Sequence, residues 1–199
     1  MGSTSVDRAL LDRIDTGAHG LERLFVLIGR KRSRLFLPVP LLIIAFATPS
    51  TEAIGSGWAL VLIGSLWRLW SAGYLIKNAE LITAGPYAFM RHPLYFGMGL
   101  VLLGWVTLAG WSWIVTGLLL YAVGLYGCAI LMEERRLVFL FPEYAWYRRQ
   151  VPLIIPLPGR GAKVRMGQFG WRTLAQNGEW RVLMWNVVVA LLITLRIEV

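Results

Sequence analysis

The chain has 199 residues, 57% of them hydrophobic and only 16% charged, with 10 tryptophans and a formal net charge of +9. Against the roughly 45–50% apolar share of a soluble domain, this composition and a mean hydropathy of +0.60 exclude an ordinary soluble protein and indicate one polytopic membrane domain. The Lys and Arg residues lie beside the apolar runs, so they read as topology signals and contacts for anionic lipid at the cytosolic face, not as a nucleic-acid surface.

Residues 5–30 hold two amphipathic patterns, Val6, Leu10, Leu11, Ile14 and then Leu21, Leu24, Phe25, Ile28. They predict helices lying on the membrane surface or packed on the protein's own cytosolic loops. Charges interrupt the whole N-terminal stretch, so it does not read as a signal peptide. After the basic stop Arg30-Lys31-Arg32-Ser33-Arg34, Leu35 to about Thr48 forms a first span. At 1.5 Å per residue it is short for a ~30 Å core unless it runs on toward Ile54. Trp58 to Ile76 is a second span with Arg68 near its middle, Leu94 to Leu108 a third, Ile114 to Met132 a fourth, and Val182 to Leu195 a fifth. Cys128, alone inside the fourth, offers neither a disulfide nor a thiolate metal site and is expected to be a small buried residue.

The turns at 49–57 and 110–113 contain no Lys or Arg, whereas the N-terminus, the 77–91 loop and the 133–181 region are basic. Five spans put all three basic regions on one side, with the N-terminus cytosolic. The predicted fold class is therefore all-α: a polytopic membrane protein with about five transmembrane helices, N-terminal amphipathic interfacial helices and a cytosolic pocket.

The polar stretch Gly85 to Gly97 stands out between apolar spans. Gly85-Pro86 breaks a helix, and Pro93 suits the first position of the next. A short hairpin between spans three and four brings its far ends together, so His92 and Tyr95 should lie near Glu133 and Glu134, in a candidate constellation that also holds Arg91, Arg135 and Arg136. Acids at a helix C-terminus oppose the dipole, and an intramembrane arginine such as Arg68 is costly, so both signal function. His92 alone could simply cap a helix, and Tyr144 and Tyr147 could be interface anchors. Gly97, Gly104, Gly117, Gly124 and Gly127 are read as close-packing positions. No glycine-rich phosphate loop, nucleophile elbow or metal-spaced His/Cys/Asp cluster is present. The assembled pocket suits a zwitterionic cofactor with a flat ring system and a substrate arriving from lipid.

The run Leu81-Ile82-Thr83-Ala84-Gly85-Pro86-Tyr87 with Arg91-His92-Pro93-Leu94-Tyr95-Phe96-Gly97, and the later Glu133-Glu134, Leu137, Phe141, Glu143-Tyr144, Tyr147, Val151-Pro152 and Ile155-Pro156, resemble the isoprenylcysteine carboxyl methyltransferase family and related bacterial phospholipid methyltransferases. The resemblance spans about residues 57–158. It implies a membrane core over 35–158, between the interfacial N-terminus 1–34 and an extension 159–199 carrying the last span. It further implies an S-adenosylmethionine-dependent enzyme with a lipophilic substrate entering from the bilayer, by carboxyl O-methylation of an isoprenylcysteine-type acceptor first, or phospholipid N-methylation.

By position, the resemblance puts Tyr87, Arg91, His92, Pro93, Leu94, Tyr95, Gly97, Tyr144 and Tyr147 around the cofactor. Glu133 or Glu134 would hold its ribose or amino group, and Arg68, Arg91 or Arg136 an anionic group. For an amine acceptor Glu133, Glu134 or His92 is the candidate base. The spacing from Glu134 to Tyr144 is one residue shorter than the family's pattern, with Pro142 where glycine is common, so the lid is expected to differ. A rival architecture, the NADPH-dependent sterol reductases, usually has Asn and an acid where this chain has Leu94 and Met98. A non-catalytic lipid-binding protein is the third reading.

Overall fold

A computed structural model describes residues 20–76, 79–157, 160–163 and 165–198. Among them are eight α-helices and no strand: α1 Leu21–Phe36, α2 Pro38–Ala45, α3 Ile54–Tyr74, α4 Pro93–Ala109, α5 Trp113–Leu140, α6 Tyr144–Gln150, α7 Trp171–Asn177 and α8 Glu179–Thr194. The all-α expectation holds. The first amphipathic pattern, around Val6 to Ile14, lies outside the described residues.

Helices stand at all five expected positions, yet only two, Thr51–Tyr74 and Trp113–Leu140, are long and apolar enough to cross a membrane alone; Pro93–Ala109 is a shorter apolar helix. The first expected span reduces to α2, eight residues beginning at Pro38. It stops at Phe46, whose N–H closes on Leu42 O at 3.0 Å, and the chain then ties to α4 through Thr48 N–H to Ala109 O at 2.7 Å. The apolar run therefore ends well before Ile54. At the same end Arg196 Nη1 donates to Ile44 O (2.6 Å) and Ala45 O (2.5 Å), satisfying carbonyls that end α2.

The second amphipathic pattern falls on α1. Leu24 and Phe25 of α1 are exposed, while Val26 is buried beside Met132 of α5. The contact face is set by Gly29: a Cβ there would lie 2.9 Å from Cys128 O and 3.2 Å from Ala129 Cα. Glycine lets the two backbones meet, so the small residue faces inward and the larger leucine and phenylalanine face out. Cys128 is only partly buried.

Antiparallel α3 and α4 make the closest helix pair. A Cβ on Gly64 would sit 2.5 Å from Gly97 O, and one on Gly104 would sit 2.7 Å from Gly57 O. Two glycine contacts seven residues apart on each helix thus set the crossing. Gly117, Gly124 and Gly127 meet nothing within 4 Å, so the close-packing role does not extend to them. Gly64→Ala is expected to cost about 1–3 kcal/mol by overpacking, seen as a lower thermal midpoint in detergent, whereas Gly124→Ala leaves it unchanged or raises it. Around this pair, Val39 and Ile43 of α2, Trp105 of α4, Val115 of α5 and Val189 and Ile193 of α8 close the main core. A second cluster, with Tyr144, Tyr147, Val151, Leu81, Ala88 and Ala162, packs under the polar end.

Candidate functional site

Gly85 turns the chain after α3 at φ +57°, where a side chain would be strained and a Cβ would strike the Tyr74 ring at 2.5 Å. A 3₁₀ turn over Gly85–Ala88 follows, and Pro93 starts α4. The stretch is held from outside by the segment after α6. Arg91 N–H donates to Pro152 O (2.9 Å), His92 N–H to Leu153 O (3.0 Å), and Ala162 N–H to Ala88 O (2.8 Å). Loop backbone this deeply placed needs such partners.

His92 occupies the N-cap position of α4, but its side chain makes no capping bond. Its Nε2 donates to Glu134 Oε1 at 2.8 Å. Glu134 also accepts from the Arg91 guanidinium and from the Tyr144 hydroxyl. One carboxylate on α5 thus joins the Gly85–Gly97 stretch to α6, the contact expected from the short hairpin. The neighbouring Glu133 accepts from Tyr95 Oη (2.8 Å) and from Arg32 Nη2 on α1 (3.1 Å), with His92 Nδ1 3.8 Å from its other oxygen. Arg32 and Arg91 thus lie against the two acids, which sit within α5 and not at its end, because the helix runs on past Met132 to Leu140.

Tyr147 Oη donates to Tyr87 O at 2.6 Å, tying α6 to the 3₁₀ turn. Burial pushes the hydroxyls of Tyr87 and Tyr147 up, and burial together with the Glu134 carboxylate pushes up that of Tyr144, so all three stay protonated donors at neutral pH. The Tyr87 hydroxyl is buried without a hydrogen-bond partner. Arg68 Nε (3.1 Å) and Nη2 (2.7 Å) both donate to Glu179 Oε2 of α8, and Nη1 donates to Leu94 O (2.9 Å).

These groups surround a cavity of about 650 Å³. Of the residues singled out in the sequence, Arg68, Tyr87, Arg91, His92, Pro93 and Leu94 line it, and so do Tyr95, Glu133, Arg136, Tyr144 and Tyr147. Glu134 and Gly97 do not. Glu134 is turned to its three donors behind the wall, and Gly97 lies in the α3–α4 crossing, where its position backs Arg68. The sequence reading missed Arg32, Tyr126, Glu179, Trp185 and Asn186, which also line the cavity. A signal existed for Glu179: an intramembrane Arg68 calls for a carboxylate, and Glu179 stands just before the last apolar run.

An all-helical bundle with membrane-length helices and a partly open cavity, lined by charged, aromatic and aliphatic side chains, is the class that fold and site define. Residues 50–139 match the isoprenylcysteine carboxyl methyltransferase (ICMT) family, which supports an ICMT-like assignment for the stretch holding α3, α4 and α5. The cobalt-zinc-cadmium resistance protein CzcN of Cupriavidus metallidurans is 40% identical over 99 residues, 48% of this chain and 45% of that protein. The nickel-cobalt-cadmium resistance protein NccN of Alcaligenes xylosoxydans xylosoxydans is 38% identical over 112 residues, 54% of this chain and 51% of that protein. The chain thus spans about half the length of these curated relatives. No solved structure matches it. Among the described residues no group of three or more His, Cys, Asp or Glu is placed to hold a metal ion.

Proposed function

We propose that the chain is an integral membrane methyltransferase that uses S-adenosylmethionine to modify a lipid or isoprenylated acceptor entering from the bilayer. On this reading its N-terminus and cavity lie on the cytosolic side of about five spans, beside anionic lipid, which the distribution of Lys and Arg among the loops supports. The observation that carries this reading is the cavity wall: the Glu133 carboxylate and the side chains of Tyr87, Tyr95 and Tyr144 line a volume of about 650 Å³. Ribose hydroxyls and an ammonium group need such acceptors, an adenine ring needs aromatic walls, and the volume falls in the usual range for small-molecule sites.

Of the two adjacent acids, Glu133 is the one able to touch the cofactor, because it lines the cavity while Glu134 is turned to three protein donors behind the wall. The role of Glu134 is positioning: it holds Arg91, His92 and Tyr144 in register so that the walls are preformed. Tyr147 pins α6 against Tyr87 and keeps bulk water out. When bound, S-adenosylmethionine supplies an electrophilic methyl group on a sulfonium. On this reading, any contribution to the metal resistance for which the two relatives are named runs through methylation of a membrane component.

Thermal stabilisation of detergent-purified protein by S-adenosylmethionine, with none from NADPH, is the expected result. Stabilisation by NADPH alone would sink the reading in favour of a reductase, and no response to either would favour a lipid-binding protein. His92→Ala removes a hydrogen bond to a carboxylate and is expected to weaken S-adenosylmethionine binding about tenfold while membrane insertion persists. Unchanged affinity in calorimetry would remove His92 from the site.

A further inference from the structure

Arg32 lines the cavity from α1, outside the matched stretch 50–139. Arg30, Lys31, Ser33 and Arg34 around it are exposed, whereas Arg32 is half-buried. Gly29, one turn earlier, meets the backbone of Cys128 and Ala129, so α1 is held close to α5 and Arg32 is brought to the wall. Its Nη2 donates to Glu133 Oε1 at 3.1 Å, and its guanidinium carbon lies 5.9 Å from the centre of the Tyr95 ring. Tyr95 Oη donates to the same glutamate oxygen at 2.8 Å.

This pair leaves an open edge on each side. Among the described residues no hydrogen bond reaches Glu133 Oε2, with His92 Nδ1 standing off at 3.8 Å, and none uses Arg32 Nε or Nη1. The two side chains are 32% and 30% exposed, so both edges are within reach of a ligand. Two other arginines of the cavity are committed. Arg68 gives Nε and Nη2 to Glu179 and Nη1 to Leu94 O, and Arg91 gives Nη1 to Glu134 and Tyr144. An open carboxylate oxygen beside open guanidinium N–H groups is complementary to a ligand with an ammonium and a carboxylate on one carbon.

We propose that Arg32 and Glu133 form a clamp for the amino-acid end of the cofactor. Glu133 Oε2 takes the α-ammonium, and the remaining N–H groups of Arg32 take the α-carboxylate. The clamp rests on the S-adenosylmethionine reading and adds to it a cofactor-binding residue on α1, which makes that helix part of the site. Seating the ligand costs little, because a partly exposed ion pair contributes at most about 1 kcal/mol.

The test is calorimetry on the detergent-purified full-length protein with S-adenosylmethionine and with its decarboxylated form, which keeps the sulfonium and the ammonium. The parent is expected to bind the decarboxylated form at least about tenfold more weakly. Arg32→Met is expected to weaken S-adenosylmethionine alone, so that the two affinities converge, whereas Glu133→Gln weakens both ligands. Arg32→Lys keeps a cation with fewer donors and is expected to retain part of the preference; it decides the matter if Arg32→Met does not fold. Equal binding of the two ligands by the parent, or a preference undiminished in the Arg32 variants, overturns the clamp and leaves the methyltransferase reading standing. A parent that binds neither ligand defeats the S-adenosylmethionine reading, and the clamp with it.

Discussion

Arg68→Leu is expected to destabilise the protein by about 3–5 kcal/mol, because it leaves the Glu179 carboxylate buried without its cation. The two side chains are only 14% and 11% exposed, and Arg68 makes three of its hydrogen bonds to groups of α8 and α4. Losing it also strips Leu94 O of its side-chain donor at the first turn of α4. The companion change tells a charge effect from lost packing. Arg68→Leu with Glu179→Leu removes both ions, and a buried pair replaced by apolar residues is often neutral in stability. The double variant is expected to unfold closer to the parent than Arg68→Leu does, in thermal melts and in chemical denaturation in detergent. Additive losses would show that the pair is held by packing alone.

Glu134→Leu is the second large effect, and it acts on the site more than on the bundle. The substitution leaves the Arg91 guanidinium, 13% exposed, without its counter-charge, and leaves His92 Nε2 and the Tyr144 hydroxyl without their acceptor. With hydrogen bonds to charged groups at about 1.5–3 kcal/mol each, the Gly85–Gly97 stretch loses the ties that run through Glu134 and keeps Tyr95 to Glu133 on α5 and Tyr87 O to Tyr147 on α6. S-adenosylmethionine affinity is expected to fall at least about a hundredfold, or about 3 kcal/mol. Glu134→Gln keeps an acceptor for one donor and is expected to fall between. Glu133→Gln should weaken the ligand while hydrogen exchange in the 85–92 backbone stays as slow as in the parent. The same protection in Glu134→Leu would show that Glu134 does not hold the stretch.

The site was legible where local rules carry it. The Gly85-Pro86 break, the Pro93 start and the short turn between α4 and α5 constrain where His92 and Glu134 can go, and the structure joins them at 2.8 Å. On α1 the period marks the apolar side chains, whereas only Gly29 decides how near α5 can come. The first span was overestimated because hydropathy does not register where backbone bonds end: Thr48 is drawn to Ala109 O, and the helix stops.

By itself the sequence determined the all-helical class and the polar stretch that meets Glu133-Glu134. Those are matters of period, composition and short-range connection. Only the tertiary structure decided which glutamate faces the cavity and which stands behind it, since two adjacent acids on a helix point about 100° apart and nothing local says which way the bundle lies. It alone brought Glu179 and Asn186, more than a hundred residues from Arg68 and Ser65, onto the same wall. Their partnership depends on how α8 packs against α3, and no short-range rule in the chain records that.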